Sequence, residues 1–135
     1  MAHFETTSLP LQADARAPDG SEVRLLLRLR GGSLAHFQLA PGEVSVAVRH
    51  RTVEEIWFFL AGQGDMWRRL EGSEEVVGVE AGTCLTIPVG TDFQFRSCGH
   101  EALQAIGVTM PPWPGEGEAA LIEGVWPATV PPGPA

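Results

Sequence analysis

Residues 42–62 read GEVSVAVRHRTVEEIWFFLAG, and the spacing within them is the strongest indication of the fold. Val44, Val46, Val48 and His50 alternate with small or polar residues, which is the period of two expected of a half-buried β-strand. A second apolar run begins at Ile56 and ends at a glycine. Glycines favour the corners between short strands because they adopt positive φ angles without strain. The stretch therefore predicts two strands, with His50 on the apolar side of the first.

The same pattern of short apolar segments continues along the chain. Its 16 glycines and 11 prolines separate the segments, and no helix-length periodic pattern competes with them. In the segment at 23–30, Val23, Leu25, Leu27 and Leu29 share one face, so we expect that face to be half-buried. About nine strands at this spacing are typical of an antiparallel sandwich or barrel. The predicted segments are 23–30, 34–40, 43–50, 56–61, 65–70, 75–79, 84–88, 93–97 and 102–110.

The length and the composition near the C-terminus predict the domain organisation. A chain of 135 residues fits one domain with a core of its own, and we expect residues 1–135 to form it, with the barrel core at about 23–110. After Met110 the composition changes to Pro-rich and Trp-containing segments, which predicts a C-terminal arm at 111–135. We expect Trp113 and Trp126 to dock this arm and its last few residues to be disordered.

Composition excludes several classes of function. The net charge of -8 repels phosphate backbones, so we expect no nucleic-acid partner. The chain contains no Lys and no Tyr, which excludes a Schiff-base lysine and a tyrosine acid. No apolar run reaches the roughly 20 residues that span a bilayer, and no export signal is visible. We therefore expect a cytoplasmic protein without a membrane partner.

Two stretches resemble the two motifs of the cupins. In that family the first motif reads Gly, five residues, His-x-His, three or four residues, Glu, six residues, Gly, and residues 42–62 keep this spacing. Residues 82–97 resemble the second motif, with Gly82, then Pro88-Val89-Gly90, then a position that is His in the family. The resemblance covers about residues 34–110. It implies an all-β, antiparallel double-stranded β-helix, the cupin or jelly-roll barrel.

The resemblance also implies a metal site, of which this sequence keeps only half. In cupins three His and one Glu bind a divalent metal such as iron, manganese, nickel or zinc. Here His50 and Glu55 stand at two of the four positions, whereas Val48 and Phe93 occupy the others. Since tight transition-metal sites need three or four protein ligands, we expect no cofactor. The alternative is a weak divalent-metal site held by His50 and Glu55.

Strand parity predicts the contents of the barrel. If His50 and Glu55 point inward, the alternation of side chains carries further residues inward with them. These residues are Trp57, Phe59, Phe93, Phe95 and Ser97. They predict an aromatic ligand pocket with a few polar groups, which is the usual composition of a small-molecule site. The alternative is a filled barrel in which His50 and Glu55 form a satisfied polar pair.

Three functions are compatible with these residues. The first is a cupin that binds a small polar or sugar-like metabolite without metal and catalyses isomerisation or epimerisation, with His50 and Glu55 as its base and acid. The second is a metal-dependent dioxygenase or isomerase that uses non-standard ligands. The third is a non-catalytic binding or regulatory module. The expected partners are a small-molecule ligand and a second copy of the chain, because small cupins commonly form homodimers.

Overall fold

The computed structural model describes residues 3–134, which form eleven β-strands and no helix. The strands, numbered β1 to β11 in chain order, are Ala15–Arg16, Glu22–Arg28, Ser33–Leu39, Val48–His50, Glu54–Ala61, Gln63–Leu70, Ser73–Glu80, Cys84–Ile87, Asp92–Ser97, Leu103–Met110 and Ala119–Leu121. No helix of the described part is therefore long and apolar enough to cross a membrane.

The strands form two sheets with antiparallel pairing throughout. The six-stranded sheet has the order β1-β2-β3-β10-β5-β8, and the five-stranded sheet has the order β11-β4-β9-β6-β7. Strands that are neighbours within a sheet are mostly distant in the sequence, as in β3-β10-β5 and β4-β9-β6. The predicted all-β double-stranded β-helix is confirmed.

The core lies between the two sheets and is centred on Trp57. The indole of Trp57 stacks on Phe37 of the same sheet, with ring centroids 4.6 Å apart and planes 7° apart. Across the barrel it meets the edge of Phe95 at 5.1 Å, and Phe93 at 6.1 Å. Offset and edge-to-face aromatic pairs of this kind each add about 0.5–1.5 kcal/mol beyond the burial of apolar area. These contacts join the two sheets at the level of the site described below.

The face of strand β2 that was predicted to be half-buried is more exposed than expected. Val23 is buried, but Leu25 is 59% exposed and Leu29 is 82% exposed and lies beyond the strand. The pairing of β2 with β3 is irregular between Leu25 and Arg28, and β2 lies one strand from the edge of its sheet. The alternation is therefore present in the sequence, but the opposite sheet does not cover this end of the strand.

The buried amide of Gln94 is one of the groups that tie the C-terminal arm to the body of the barrel. Its Nε2 donates to the carbonyl oxygens of Ser45 and Trp126, both at 2.8 Å. Its Oε1 accepts from the backbone N–H groups of Val125 at 3.0 Å and Trp126 at 3.1 Å. The Trp126 ring also lies under the guanidinium of Arg96, at 4.2 Å. The prediction that Trp126 docks the arm agrees with this packing.

The predicted disorder at the end of the arm is wrong as far as residue 134. Val130 is buried, and the backbone N–H of Gly133 donates to the carbonyl oxygen of Ala17 at 2.9 Å. An added Cβ at Gly20 would lie 2.5 Å from the Val130 side chain. The Pro-rich composition was the reason to expect disorder, but backbone contacts hold this segment in place. The arm thus packs behind the turn at 17–21.

The outer face of the six-stranded sheet exposes a row of apolar side chains. Ile56, Phe58 and Leu60 are each more than 40% exposed, because they alternate with the inward-facing residues of β5. Ile56 lies opposite Val108, and Phe58 opposite Ile106, of the neighbouring strand β10. The expected homodimer stays a prediction.

We expect Gln94→Met to destabilise the protein by about 2–4 kcal/mol, because it leaves two carbonyl groups, of which that of Ser45 is buried, and two N–H groups without their partner. Methionine has a similar volume, so the loss measures hydrogen bonding rather than a cavity. The free energy of unfolding from urea titrations checks this prediction. Gln12→Met, at an exposed position, is the matched control, and an equal change in both variants would contradict the assigned role of Gln94.

Candidate functional site

His50 and Glu55 lie side by side inside the barrel, as the strand parity predicted. His50 is the last residue of β4, and Glu55 is the second residue of β5. The His50 Nδ1 and the Glu55 Oε1 are 3.8 Å apart, and their side chains are 7% and 2% exposed. This distance is too long for a direct hydrogen bond, so the two groups are neighbours without being bonded to each other.

The carboxyl of Glu55 is fixed by two donors. The indole Nε1 of Trp57 donates to its Oε1 at 3.0 Å, and the hydroxyl of Thr109 donates to its Oε2. Thr109 reaches Glu55 because the register of β10 and β5 places the two residues directly opposite each other. Each oxygen of Glu55 therefore has a partner, and the carboxyl is held in one orientation.

The imidazole of His50, in contrast, is held by packing alone. Its ring meets Phe93 at 5.2 Å and Trp113 at 5.1 Å between centroids, both close to edge-to-face. Its Nδ1 is buried and has no hydrogen-bond partner among the described residues. An unpaired buried polar nitrogen costs about 1–3 kcal/mol, so this atom marks a place where a bound group would be stabilising.

Asp19 is a third ionisable residue of the site, and the sequence reasoning missed it. It is buried, and its Oδ1 accepts from the backbone N–H of Ser21 at 2.9 Å and from the Ser21 hydroxyl at 2.6 Å. The tripeptide Pro18-Asp19-Gly20 reads as an ordinary surface turn. Its inward orientation depends on the C-terminal arm packing behind it, and no local signal in the sequence reports that contact.

One cavity of about 310 Å³ joins these groups. Its walls are mainly apolar. Besides His50, Glu55 and Asp19, the residues that line it include Val23, Leu25, Leu27, Ala35, Phe37, Trp57, Thr109 and Trp113. The leucines of β2 that the opposite sheet leaves uncovered thus belong to the cavity wall. Trp113 was predicted only to dock the arm, and it also closes the cavity beside His50.

Of the five residues predicted to form the pocket, Trp57 lines the cavity and the others do not. Phe59, Phe93, Phe95 and Ser97 are all buried inside the barrel. They do not line the cavity, because the three phenylalanines pack around Trp57 in the hydrophobic core. Strand parity identified the inward residues correctly. It could not show that Trp57 divides the barrel into a packed half and an open half.

Burial shifts the ionisation of all three groups toward their neutral forms. Burial raises the pKa of Glu55, against the hydrogen bonds from Thr109 and Trp57. Burial likewise raises the pKa of Asp19, against its bonds to Ser21 and the nearby His50. For His50, burial lowers the pKa, although the charges of Asp19 and Glu118 oppose this. Desolvation is thus the dominant influence, and at neutral pH the site combines an uncharged base with weakened acids.

Glu118 is the remaining charged neighbour, and it behaves differently. Burial alone would raise its pKa, but its carboxylate accepts from the Thr52 N–H and hydroxyl and from the Val53 N–H, so its pKa is lowered. Glu118 therefore stays ionised and adds a negative potential near His50. It lies in the arm, far from His50 in the sequence, and the sequence reasoning did not identify it.

The donor set does not fit a transition metal. Val48 and Phe93, which replace two ligands of the family pattern, are fully buried and lie directly opposite each other on β4 and β9. Within residues 3–134, no three His, Cys, Asp or Glu side chains lie close enough together to hold a metal ion. Only His50 and Glu55 remain as donors at the family positions, fewer than a tight site requires.

Known proteins of the same shape support the fold. An uncharacterized conserved protein with a double-stranded β-helix domain from Klebsiella pneumoniae is 16% identical, with a TM-score of 0.68 over 90% of this chain and all of that one. A predicted oxalate decarboxylase from Thermotoga maritima is 18% identical, with a TM-score of 0.63 over 78% and 99%. The capsular polysaccharide assembling protein CapF from Staphylococcus aureus is 16% identical, with a TM-score of 0.66.

The match to CapF covers 82% of this chain but only 34% of CapF. At these identities the likeness concerns the fold alone. Comparison with curated proteins gave no match.

The family model for the cupin domain matches residues 35–109, which is more than half of the chain and includes both motifs. Together with the two-sheet barrel, this match establishes that the chain belongs to the cupin domain family.

Proposed function

We propose that this protein binds a small organic molecule in the cavity beside His50 and Glu55. The body of the ligand lies against the apolar walls, and one hydrogen-bonding group meets the polar end of the cavity. The observation that carries this proposal is the buried, unpaired Nδ1 of His50 at a cavity of about 310 Å³. An apolar cavity with a few converging polar groups is the usual form of a small-molecule site.

The walls favour a less polar ligand than the sugar-like metabolite expected from the sequence. Phe37, Trp57 and Trp113 form aromatic surfaces, while Val23 and Ala35 add aliphatic ones. A sugar would bring several hydroxyl groups against these side chains, where they would find no partner. Each unpaired buried hydroxyl costs about 1–3 kcal/mol. A ligand with one polar group on a hydrocarbon body avoids this loss.

Proton transfer is a second candidate function, and the pairing of His50 with Glu55 favours it. Burial gives the site a neutral imidazole and carboxyl groups that hold protons more readily than usual. His50 could then take a proton from the carbon next to a bound carbonyl, while a protonated carboxyl gives its proton to the carbonyl oxygen. Transfer of the imidazolium proton to the other face of that carbon or to a neighbouring carbon, with return of the enol proton to the carboxylate, completes an isomerisation without metal and restores both residues. A binding module would lack this exchange.

The first test of the proposed function concerns binding itself. We expect benzyl alcohol, an aromatic body with one hydroxyl, to shift the NMR signals of cavity residues in the wild-type protein. Ala35→Leu fills part of the cavity and should weaken this binding at least about tenfold, a loss of roughly 1.4 kcal/mol or more. Ala128→Leu adds the same atoms at an exposed position and should bind as the wild type does. Absence of binding, or equal binding by both variants, would contradict the proposal.

The second prediction separates catalysis from binding. In ²H₂O the protein should accelerate the loss of the α-proton signals of phenylacetone, a small apolar ketone, as followed by NMR. His50→Gln should lower the rate about 10²-fold or more, the usual contribution of a positioned base. His100→Gln, remote from this cavity, is the control. If the wild-type protein exchanges these protons no faster than His50→Gln does, proton transfer on this ketone is excluded and a binding module is favoured.

The third prediction addresses a metal-dependent reaction. Protein purified without chelator should contain far less than one equivalent of iron, manganese, nickel or zinc by elemental analysis. Phe93→His is a positive control, because it places a third donor 5.2 Å from His50, measured between the present ring centroids, and should raise zinc or nickel affinity. Stoichiometric metal in the wild type would overturn the preference for a metal-independent site.

A further inference from the structure

The polar end of the cavity holds two carboxyl groups without a compensating cation. Asp19 and Glu55 both line it. Among the ion pairs of residues 3–134, none joins Asp19 or Glu55 to an arginine, and Glu55 has only His50, at 3.8 Å. Arg28 also lines the cavity, but it is exposed and its charge is screened by water. The buried acids therefore face the cavity without a cationic partner of their own.

The hydrogen-bonding capacity of these groups is also incompletely used. The two donors on Asp19, both from Ser21, go to Oδ1, and in the described part of the chain no side-chain or backbone donor is bonded to Oδ2. The Nδ1 of His50 is buried and unpaired, and its side chain is only 7% exposed. A neutral imidazole nitrogen without a proton is an acceptor, as is a carboxylate oxygen. What the cavity offers at this end is a set of spare acceptors.

The walls next to these acceptors are aromatic. Trp57 and Phe37 form a stacked pair, with centroids 4.6 Å apart, and Trp113 meets the His50 ring at 5.1 Å. Aromatic faces attract cations, and tryptophan does so most strongly. Anionic ligands find no buried donor of positive charge here. These features favour a cationic ligand over an anionic one.

We propose that the ligand of this cavity is a small hydrocarbon amine, bound as its ammonium cation with the nitrogen among His50, Glu55 and Asp19. An ammonium group has three donors and no acceptor, which matches the spare acceptors at this end. Its charge would pair with two buried carboxylates. The inference rests on the binding function proposed above.

The test compares three probes with the same ring: benzylamine, benzyl alcohol and benzoate. At pH 7.5 we expect the Kd of benzylamine, measured by NMR or calorimetry, to be at least about tenfold below that of benzyl alcohol, because charge-assisted bonds are stronger than neutral ones. Benzoate should not bind measurably. Glu55→Gln should weaken benzylamine binding about tenfold and benzyl alcohol binding by a clearly smaller factor, because only the ammonium group loses a charged partner. Glu54→Gln removes the same charge at the exposed neighbouring position and should change neither.

The outcomes separate this inference from the proposed function. Equal Kd values for benzylamine and benzyl alcohol, tighter binding of benzoate, or equal losses in Glu54→Gln and Glu55→Gln would overturn the amine assignment and leave small-molecule binding intact. Failure of all three probes to bind would overturn both. Asp19→Asn is the second variant, in case Glu55→Gln does not fold. A folded NMR spectrum is the criterion, and a selective loss of benzylamine binding is again the expected result.

Discussion

Burial of two ionisable side chains next to each other in an otherwise apolar barrel is the constraint on which the site depends. His50 and Glu55 are placed 3.8 Å apart by two strands that belong to different sheets. The barrel around them is filled by Trp57, Phe93 and other buried hydrophobic residues. Desolvation therefore governs both groups, shifting each toward its uncharged form. Hydrogen bonds reach both carboxyl oxygens of Glu55, whereas the buried Nδ1 of His50 has none among the described residues.

Apolar residues replace two of the metal-ligand positions in this cupin. This replacement explains why desolvation, and not a metal ion, governs the ionisation of His50 and Glu55. A metal ion would hold the histidines neutral and the glutamate ionised through its own charge. Here Val48 and Phe93 stand opposite each other in the five-stranded sheet and contribute no donor. The remaining pair then responds to the dielectric of the barrel and to the ionised Glu118. The same scaffold is thereby suited to binding or proton transfer through side chains alone.

The fold and the His50–Glu55 pair could be predicted because they depend on local spacing. Glycine corners and period-two alternation specify which residues turn and which point inward, and the spacing from Gly42 to Gly62 aligns the pair with a known motif. Asp19, Thr109 and Trp113 could not be found in this way. Each reaches the cavity through a long-range contact: the arm behind Asp19, the register of Thr109 against Glu55, and the packing of Trp113 on His50. The exposed leucines of β2 likewise depend on how far the opposite sheet extends.

The most direct test of the account is the ionisation of the His50 ring, followed by ¹H–¹⁵N NMR of histidine side chains between pH 4 and 8, with His50→Gln to assign the signals. Burial lowers the pKa of the ring and outweighs the charges of Asp19 and Glu118, which favour protonation. The account predicts that His50 is still mostly neutral near pH 6.5, where an unperturbed histidine is about half protonated, and gains its proton only at lower pH. A ring that is already protonated at pH 7 would show an ordinary His50–Glu55 ion pair open to water, and would contradict the account.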